Sequence, residues 1–265
     1  MEKKIRDLVK NHIEDWAKKF SQRHIDDFDN DDGTINKKKH NIFVKELGND
    51  TMFYSTLIRS FDSSFGNMLE KLGIAIAKIY FKVEEKVEGK IYNEQRDKIA
   101  ELLEAYKNPE HHTTVSVEDY EKLRDIKSQS YERVSFKSDY YLYDEAKNEH
   151  YLIELKIGGD LDNKKARSEK QAIFEHYSIL YNKLGKDAKI KCYFATAYNR
   201  YGEGKKWPQS RVKQFFSEDE LLIGEKFWNF VCNSENGYNI VRDEYNNNVQ
   251  TIKEALDKIK NKYLS

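Results

Sequence analysis

Residues 149–198 constrain the fold most, because two strand patterns flank one long helix pattern. His150–Ile157 is an apolar run that ends at Gly158-Gly159, residues 164–184 show apolar residues at helical spacing, and Ile190–Tyr198 returns to strand character. A strand, a helix and a second strand in this order form the crossover that joins parallel neighbours in a sheet. The sequence therefore predicts an α/β fold.

A further strand pattern lies just upstream, at Ser138–Tyr143, and a polar turn separates it from His150–Ile157. Two strands joined so closely pair antiparallel, so the predicted sheet is mixed. Helical patterns surround these strands, and the one at 91–107 is expected to end at Asn108-Pro109. The others lie at 1–23, 64–81, 117–126, 217–231 and 249–263.

We expect one domain over residues 1–265. It consists of an N-terminal helical part (1–60), a core (64–198), and a contact loop followed by C-terminal helices (199–265).

Composition excludes several classes of protein. The 46 basic and 46 acidic residues cancel, which argues against a binder held to nucleic acid by charge alone. No apolar run approaches the ~20 residues of a membrane span, and Met1–Arg6 lacks the pattern of a secretory signal, so we expect a cytoplasmic protein without a membrane partner. Cys192 and Cys232 are predicted to be buried thiols, and the histidines show no zinc-site spacing.

Glu154 and Lys156 are the candidate functional pair. Residues two apart in a strand share a face, so these side chains project together while Ile153, Leu155 and Ile157 point into a core. Asp139 begins the preceding strand and would approach Glu154 if the hairpin register allows it. Two adjacent carboxylates favour a cation between them, and oxygen ligands suit Mg²⁺. The alternative is a surface hairpin with an ordinary Glu/Lys pair, since an acid two residues before a lysine recurs along the chain.

At these residues the chain resembles the PD-(D/E)XK nuclease superfamily, in which an Asp precedes Glu-x-Lys on the next strand of an α-β-β-β-α-β core. Ser138 stands where many members have proline. The resemblance covers residues 64–198 and implies a restriction-endonuclease-like fold. Within it, residues 151–162 and the later FATAYN segment are similar to the TdeIII-type group, which implies a short palindromic site of the GGNCC kind.

The resemblance also implies an activity and its partners. It implies a type II restriction endonuclease that hydrolyses double-stranded DNA with Mg²⁺ and leaves 5'-phosphate ends. Asp139, Glu154 and Lys156 would be catalytic, with Asp139 and Glu154 as metal ligands. A homodimer would cut both strands of a two-fold symmetric site, and a DNA methyltransferase would protect the host.

Further residues are assigned by position. Glu70, on the helix before the sheet, is a candidate third metal ligand, with a solvent-facing glutamate as the alternative. Lys170 and Gln171 on the crossover helix are candidates for contact with DNA or the metal site, while Asp160 and Asp162 are expected to be loop acids. The basic loop 199–211 is the candidate DNA-recognition segment because it offers cations and amides. Its candidate residues are Arg200, Lys205, Lys206, Gln209 and Arg211.

Two other functions stay open on the sequence alone. One is a structure-specific nuclease, such as a junction resolvase or a repair nuclease, on the same fold. The other is a DNA-binding or protein-interaction module that keeps the nuclease fold without activity. Cleavage at branches only would favour the first, and a biological effect that survives loss of Glu154 would favour the second.

Overall fold

The computed structural model describes residues 1–107 and 114–264 and divides into two compact units. The first unit comprises residues 1–75 and 239–265, and the second comprises residues 76–238. The predicted end of a helix at Asn108-Pro109 lies outside the described residues. The single-domain arrangement stays a prediction.

The first unit is helical. Its elements are α1 (Glu2–Phe28), α2 (Thr34–Lys38), α3 (Ile42–Lys45), most of α4 (Asn49–Ala77) and most of α9 (Gly237–Leu264). Helix α1 buries one stripe at i, i+4 and i+7 spacing, which includes Ile5, Val9 and Trp16. At the C-terminal end of α9, the Tyr263 hydroxyl donates a hydrogen bond to the backbone carbonyl of His24, 3.2 Å away.

The second unit contains a five-stranded sheet in the order β1-β2-β3-β4-β5. The strands are β1 (Lys82–Tyr92), β2 (Tyr131–Asp144), β3 (Glu149–Leu155), β4 (Lys189–Thr196) and β5 (Leu221–Ile223). The pairs β1/β2 and β2/β3 are antiparallel, whereas β3/β4 and β4/β5 are parallel. The predicted α/β architecture with a mixed, helix-flanked sheet is confirmed.

Helices cover this sheet. They are α5 (Asn93–Ala105), α6 (Asn163–Leu184), α7 (Ser210–Lys213) and α8 (Glu225–Val231), with 3-10 turns at Val117–Leu123 and Glu218–Glu220. On one face, Leu152 and Phe194 pack with Phe174 and Tyr177 of α6. On the other, Tyr140 and Tyr151 meet Phe227 and Phe230 of α8. The parallel β3/β4 pair is therefore buried on both faces, as a crossover requires.

The crossover helix begins and ends where the sequence indicates. The Asp162 carboxylate accepts from the Lys165 amide at 2.8 Å, which satisfies a free donor at the start of α6. Gly185 ends the helix with φ 91°, a conformation that favours glycine. Asp162 is thus a helix cap, in agreement with its expected role as a loop acid.

Two strands were not predicted. Strand β1 has the sequence KVEEKVEGKIY, whose exposed charges hide its alternation, and β5 has three residues. Both cysteines are buried and free, as expected. Among the helices in the described part of the chain, none has the length and apolar character to cross a membrane.

Candidate active site

The register of β2 and β3 brings Asp139 beside Glu154. Tyr140 pairs with Ile153 and Tyr141 with Leu152, so the next antiparallel step places Asp139 opposite Glu154. The backbone amide of Leu155 donates to Asp139 Oδ2 at 3.0 Å, which holds this carboxylate at the end of β3. The hairpin register that the sequence left open therefore favours the predicted cluster.

Asp139 lies in an irregular part of β2. Glu84 of β1 pairs with Tyr141, but Lys86 pairs with Lys137, so β2 has more residues than β1 between these pairs. Extra residues of this kind bend a strand and re-aim its side chains, and they are common beside active sites. The irregularity accounts for the inward direction of the Asp139 carboxylate towards Leu155.

Lys156 lies among three carboxylates. Its Nζ is 2.5 Å from Glu154 Oε1, 3.3 Å from Glu169 Oε2 and 4.0 Å from Asp139 Oδ2. The strand ladder continues to this residue, because the Lys156 amide donates to the Ala195 carbonyl at 2.9 Å. Glu154 and Lys156 thus share one face, as predicted, although β3 itself ends at Leu155.

Burial and repulsion shift the titration of these groups. Burial, and then the Glu154 charge, raise the pKa of Asp139 to about 7. Burial also raises the pKa of Glu154, while Lys156 opposes the shift. Burial lowers the pKa of Lys156, but attraction from Glu154, Glu169 and Asp139 outweighs it and the net shift is upward. The cluster therefore holds excess negative charge against one ammonium.

Asp139 and Glu154 fit a divalent cation. Mg²⁺ is commonly held by one or two carboxylates, with waters and substrate phosphate completing its ligands, and these two half-buried carboxylates repel each other. Within residues 1–107 and 114–264, no group of three or more His, Cys, Asp or Glu side chains has the arrangement of a metal site. The donor set fits a site of two carboxylates.

Glu70 and Gln171 have predicted roles that stay predictions. Glu70 lies on α4 in the first unit and is partly buried. Gln171 lies on α6, where its amide donates to Glu175 Oε1 at 3.0 Å.

Lys170 does not reach DNA in this structure. Its side chain is 0% exposed and is paired with the equally buried Glu220. The rings of Tyr120, Phe174 and Phe216 surround the ammonium. A side chain without exposed surface cannot contact a phosphate, so the predicted DNA contact of Lys170 is wrong.

The loop 199–211 divides into anchored and exposed residues. Trp207 is buried against Phe194, and Gln209 is 8% exposed with its amide 3.4 Å from Asp160 Oδ1. Arg200 is paired with Asp160 at 2.6 Å. Three cations of this loop are exposed and form no ion pair within residues 1–107 and 114–264, namely Lys205, Lys206 and Arg211. Burial leaves Gln209 poorly placed for base contact, whereas these three cations are accessible.

Glu169 is the residue that the sequence did not single out. It lies on α6, next to Lys170 and Gln171, which were chosen instead. Neighbouring residues on a helix differ by about 100° in direction, so the correct helix was identified with the wrong face. The i, i+3 and i+4 pattern of buried Ala166, Lys170, Ile173 and Phe174 could have shown that Lys170 points into the core.

Comparison with known proteins identifies the family. A family model described as "Type II restriction endonuclease, HinfI" matches residues 1–249. No match is found among curated proteins or among solved structures. The matched family supports the restriction-endonuclease-like fold and the restriction interpretation, while TdeIII-type specificity stays a prediction. The chain therefore belongs to the HinfI family of type II restriction endonucleases and is a site-specific deoxyribonuclease that acts on double-stranded DNA.

Proposed function

We propose that the cluster of Asp139, Glu154 and Lys156 is the catalytic site of this endonuclease and that cleavage requires Mg²⁺. The observation that carries the proposal is the Asp139/Glu154 pair, held at the end of β3 with the Lys156 ammonium beside it. Asp139 and Glu154 would hold the ion. Bound there, Mg²⁺ would offset negative charge on the phosphate that is cut.

Lys156 acts as a charged donor in this proposal. Its ammonium can donate to a phosphate oxygen or to the attacking water and can offset charge that grows in the transition state. The net upward shift of its pKa agrees with this role and not with that of a base. Glu169 holds Lys156 from α6 at 3.3 Å, which makes it a positioning residue.

A backbone hydrogen bond helps to hold the Asp139 carboxylate in place. The Leu155 amide N–H donates to one carboxylate oxygen of Asp139, and the Asp139 carboxyl group also lies within hydrogen-bonding contact of Glu154. Because this amide belongs to the residue between Glu154 and Lys156, any shift of β3 would move all three groups together. The geometry thus links the metal ligands to the lysine.

Residues outside the cluster of Asp139, Glu154 and Lys156 would bind the DNA. Lys205, Lys206 and Arg211 are accessible and suit phosphate or base edges. Arg200 and Gln209 of the same loop and Gln171 of α6 are secondary candidates, and Glu70 would be a further metal ligand. We propose a homodimer, since two active sites related by a two-fold axis can cut both strands of a symmetric site. A methyltransferase encoded beside the gene would protect host DNA, and both proteins would act in the cytoplasm. Products with 5'-phosphate ends complete the proposal.

The test is cleavage of a long DNA of known sequence. The purified protein is incubated with Mg²⁺, with Ca²⁺ and with EDTA, and the products are sequenced at their ends. We expect discrete fragments with 5'-phosphates in Mg²⁺ and intact DNA in EDTA. Intact DNA in Mg²⁺ across many kilobases of varied, unmethylated sequence would contradict the proposal. Cleavage only at branched junctions would instead support a structure-specific nuclease.

A further inference from the structure

The β1–β2 ribbon has one exposed polar face made of three facing pairs. The pairs are Lys86 with Lys137, Glu88 with Ser135, and Lys90 with Arg133. Positions two apart in a strand share a face, and the intervening Val87 and Ile91 are buried on the other side. Five of the six polar residues are exposed and Lys90 is partly buried. We call this face the cationic ribbon.

Two of the three pairs place like charges opposite each other. Facing residues of an antiparallel pair have Cβ atoms ~4.5–5.5 Å apart, and like charges there destabilise the sheet. Across residues 1–107 and 114–264, none of these four cations forms an ion pair with a carboxylate; the only close aromatic contact is Lys90 over the Tyr131 ring at 4.2 Å. Stability of the folded sheet therefore does not explain why these like charges face each other.

Several other charges of the same sheet are paired. At the far end of β1, Lys82 Nζ is 2.5 Å from Glu145 Oε1. On the opposite face of β2, Glu132 pairs with Arg96 at 2.8 Å. The carboxylate within the cationic ribbon, Glu88, accepts from the Ser135 hydroxyl at 2.7 Å and not from a cation. Within the described part of the chain, the four cations of the cationic ribbon therefore lack the carboxylate partners that Lys82 and Arg96 have.

We propose that the cationic ribbon binds backbone phosphates of the DNA substrate. Because its ligand is the DNA that the enzyme would cut, the inference rests on the proposed function. The chain as a whole carries no net charge, so attraction to a polyanion must come from local patches. A phosphate between Lys86 and Lys137, or between Lys90 and Arg133, would relieve the repulsion within each pair.

The dimensions suit a duplex. Lys86 and Lys90 are four residues apart, so the two cationic pairs are separated by about 13 Å along the ribbon. Phosphates of one DNA strand follow at ~3.4 Å of helix axis, so the two pairs would reach different phosphates. Lys137 precedes Asp139 by two residues on β2, and the irregularity opposite Glu84 and Lys86 begins between them. Such contacts position DNA without reading its sequence.

The test is binding of a labelled duplex of arbitrary sequence as a function of salt, in Ca²⁺. Lys137→Gln and Arg133→Gln are measured singly and together. The control is Lys82→Gln, because Lys82 lies on the neighbouring strand β1 and is already paired with Glu145. Each ribbon substitution should lower the slope of log K against log salt by up to about 0.9, and the double variant by up to about 1.8. Lys82→Gln should leave the slope unchanged.

A second measurement separates this role from a structural one. Relief of repulsion should raise the Tm of the DNA-free Lys137→Gln and Arg133→Gln proteins, while their DNA affinity falls. Unchanged affinity and slope in a folded double variant would overturn the inference, even if the wild type cuts DNA. Conversely, normal ribbon-dependent binding by a protein that never cuts would overturn only the proposed function.

Discussion

Two charged clusters lie one residue apart on α6, and they differ in balance. The cluster at Glu169 joins three carboxylates to one ammonium, and its side chains are 12–29% exposed. The cluster at Lys170 joins one ammonium to one carboxylate, Glu220, and both are essentially unexposed. The cluster at Glu169 has more carboxylates than ammonium groups and is partly exposed to solvent, whereas the cluster at Lys170 has one of each and is buried.

The closed cluster is completed by hydrogen bonds. The Tyr120 hydroxyl donates to Glu220 Oε1 at 2.6 Å, and the amide and hydroxyl of Ser217 donate to Oε2 at 2.9 and 3.0 Å. Burial lowers the pKa of Lys170, and Glu220 opposes this shift. Because protein groups enclose the Lys170–Glu220 pair and hydrogen-bond to it, we assign this pair a structural role. The comparison shows that unbalanced charge, not charge itself, distinguishes the face of α6 at the proposed catalytic site from the face in the core.

The largest expected effect is on catalysis, at Lys156. Lys156→Ala removes the ammonium that offsets charge on the phosphate, so single-turnover cleavage should slow by about 10²–10³-fold. Binding of DNA in Ca²⁺ should change little. Lys147→Ala, at an exposed lysine of the β2–β3 turn, is the control. A Lys156→Ala rate within tenfold of wild type would remove this residue from the site.

The next effect is on stability, at Lys170. Lys170→Ala leaves Glu220 buried without its cation, which should lower the free energy of unfolding by roughly 3–5 kcal/mol. Urea unfolding followed by circular dichroism measures this loss. Lys165→Ala, on an exposed turn of the same helix, should cost far less. A double replacement, Lys170→Met with Glu220→Leu, should recover stability; failure of the single variant to destabilise would contradict a structural role.

A third effect is pH dependence from a buried histidine on α6. Burial lowers the pKa of His176 from 6.5 to about 4. The folded protein therefore binds this proton less readily than the unfolded chain, so stability is complete above pH 6.5 and is lost as pH falls towards 4. The expected loss between pH 7.5 and 4.5 is about 2 kcal/mol. His176→Gln should lose less over the same range, as urea unfolding at both pH values would show.

The smallest effect is a gain in stability at the catalytic site. Asp139→Asn removes repulsion from Glu154 in the metal-free protein and should stabilise it by about 1 kcal/mol at pH 8, while cleavage is lost. Asp144→Asn is the contrasting control, because Asp144 accepts from the amides of Ala146 and Lys147 and is paired with Lys147. Thermal unfolding in EDTA compares the two. Destabilisation by Asp139→Asn would argue for a structural carboxylate.

The central elements of the fold were predictable because their patterns are local. Ile153 and Leu155 alternate with Glu154, and α6 carries its own cap and terminating glycine. Strand β1 was missed because Val87 and Ile91 are four residues apart, a spacing that also suits a helix, and its outer face is charged. Strand β5 has three residues and depends on pairing with β4.

The candidate site was predictable only in part. Strand geometry placed Glu154 and Lys156 together, but the position of Asp139 depends on a register set by the β2–β3 turn and by the irregularity near Glu84. Glu169 could be found only from the rotation of α6 about its axis. The facing cations of the cationic ribbon depend on the pairing of β1 with β2, which are separated in sequence by a helix.

The most direct test compares two substitutions of the same type in the two clusters. Glu154→Gln and Glu220→Gln each replace one glutamate by its amide, and both variants are assayed for Mg²⁺-dependent cleavage and for the free energy of unfolding. We predict that Glu154→Gln abolishes cleavage and keeps the stability of the wild type, whereas Glu220→Gln lowers stability and still cuts DNA while folded. Full cleavage activity in a folded Glu154→Gln protein would contradict the account.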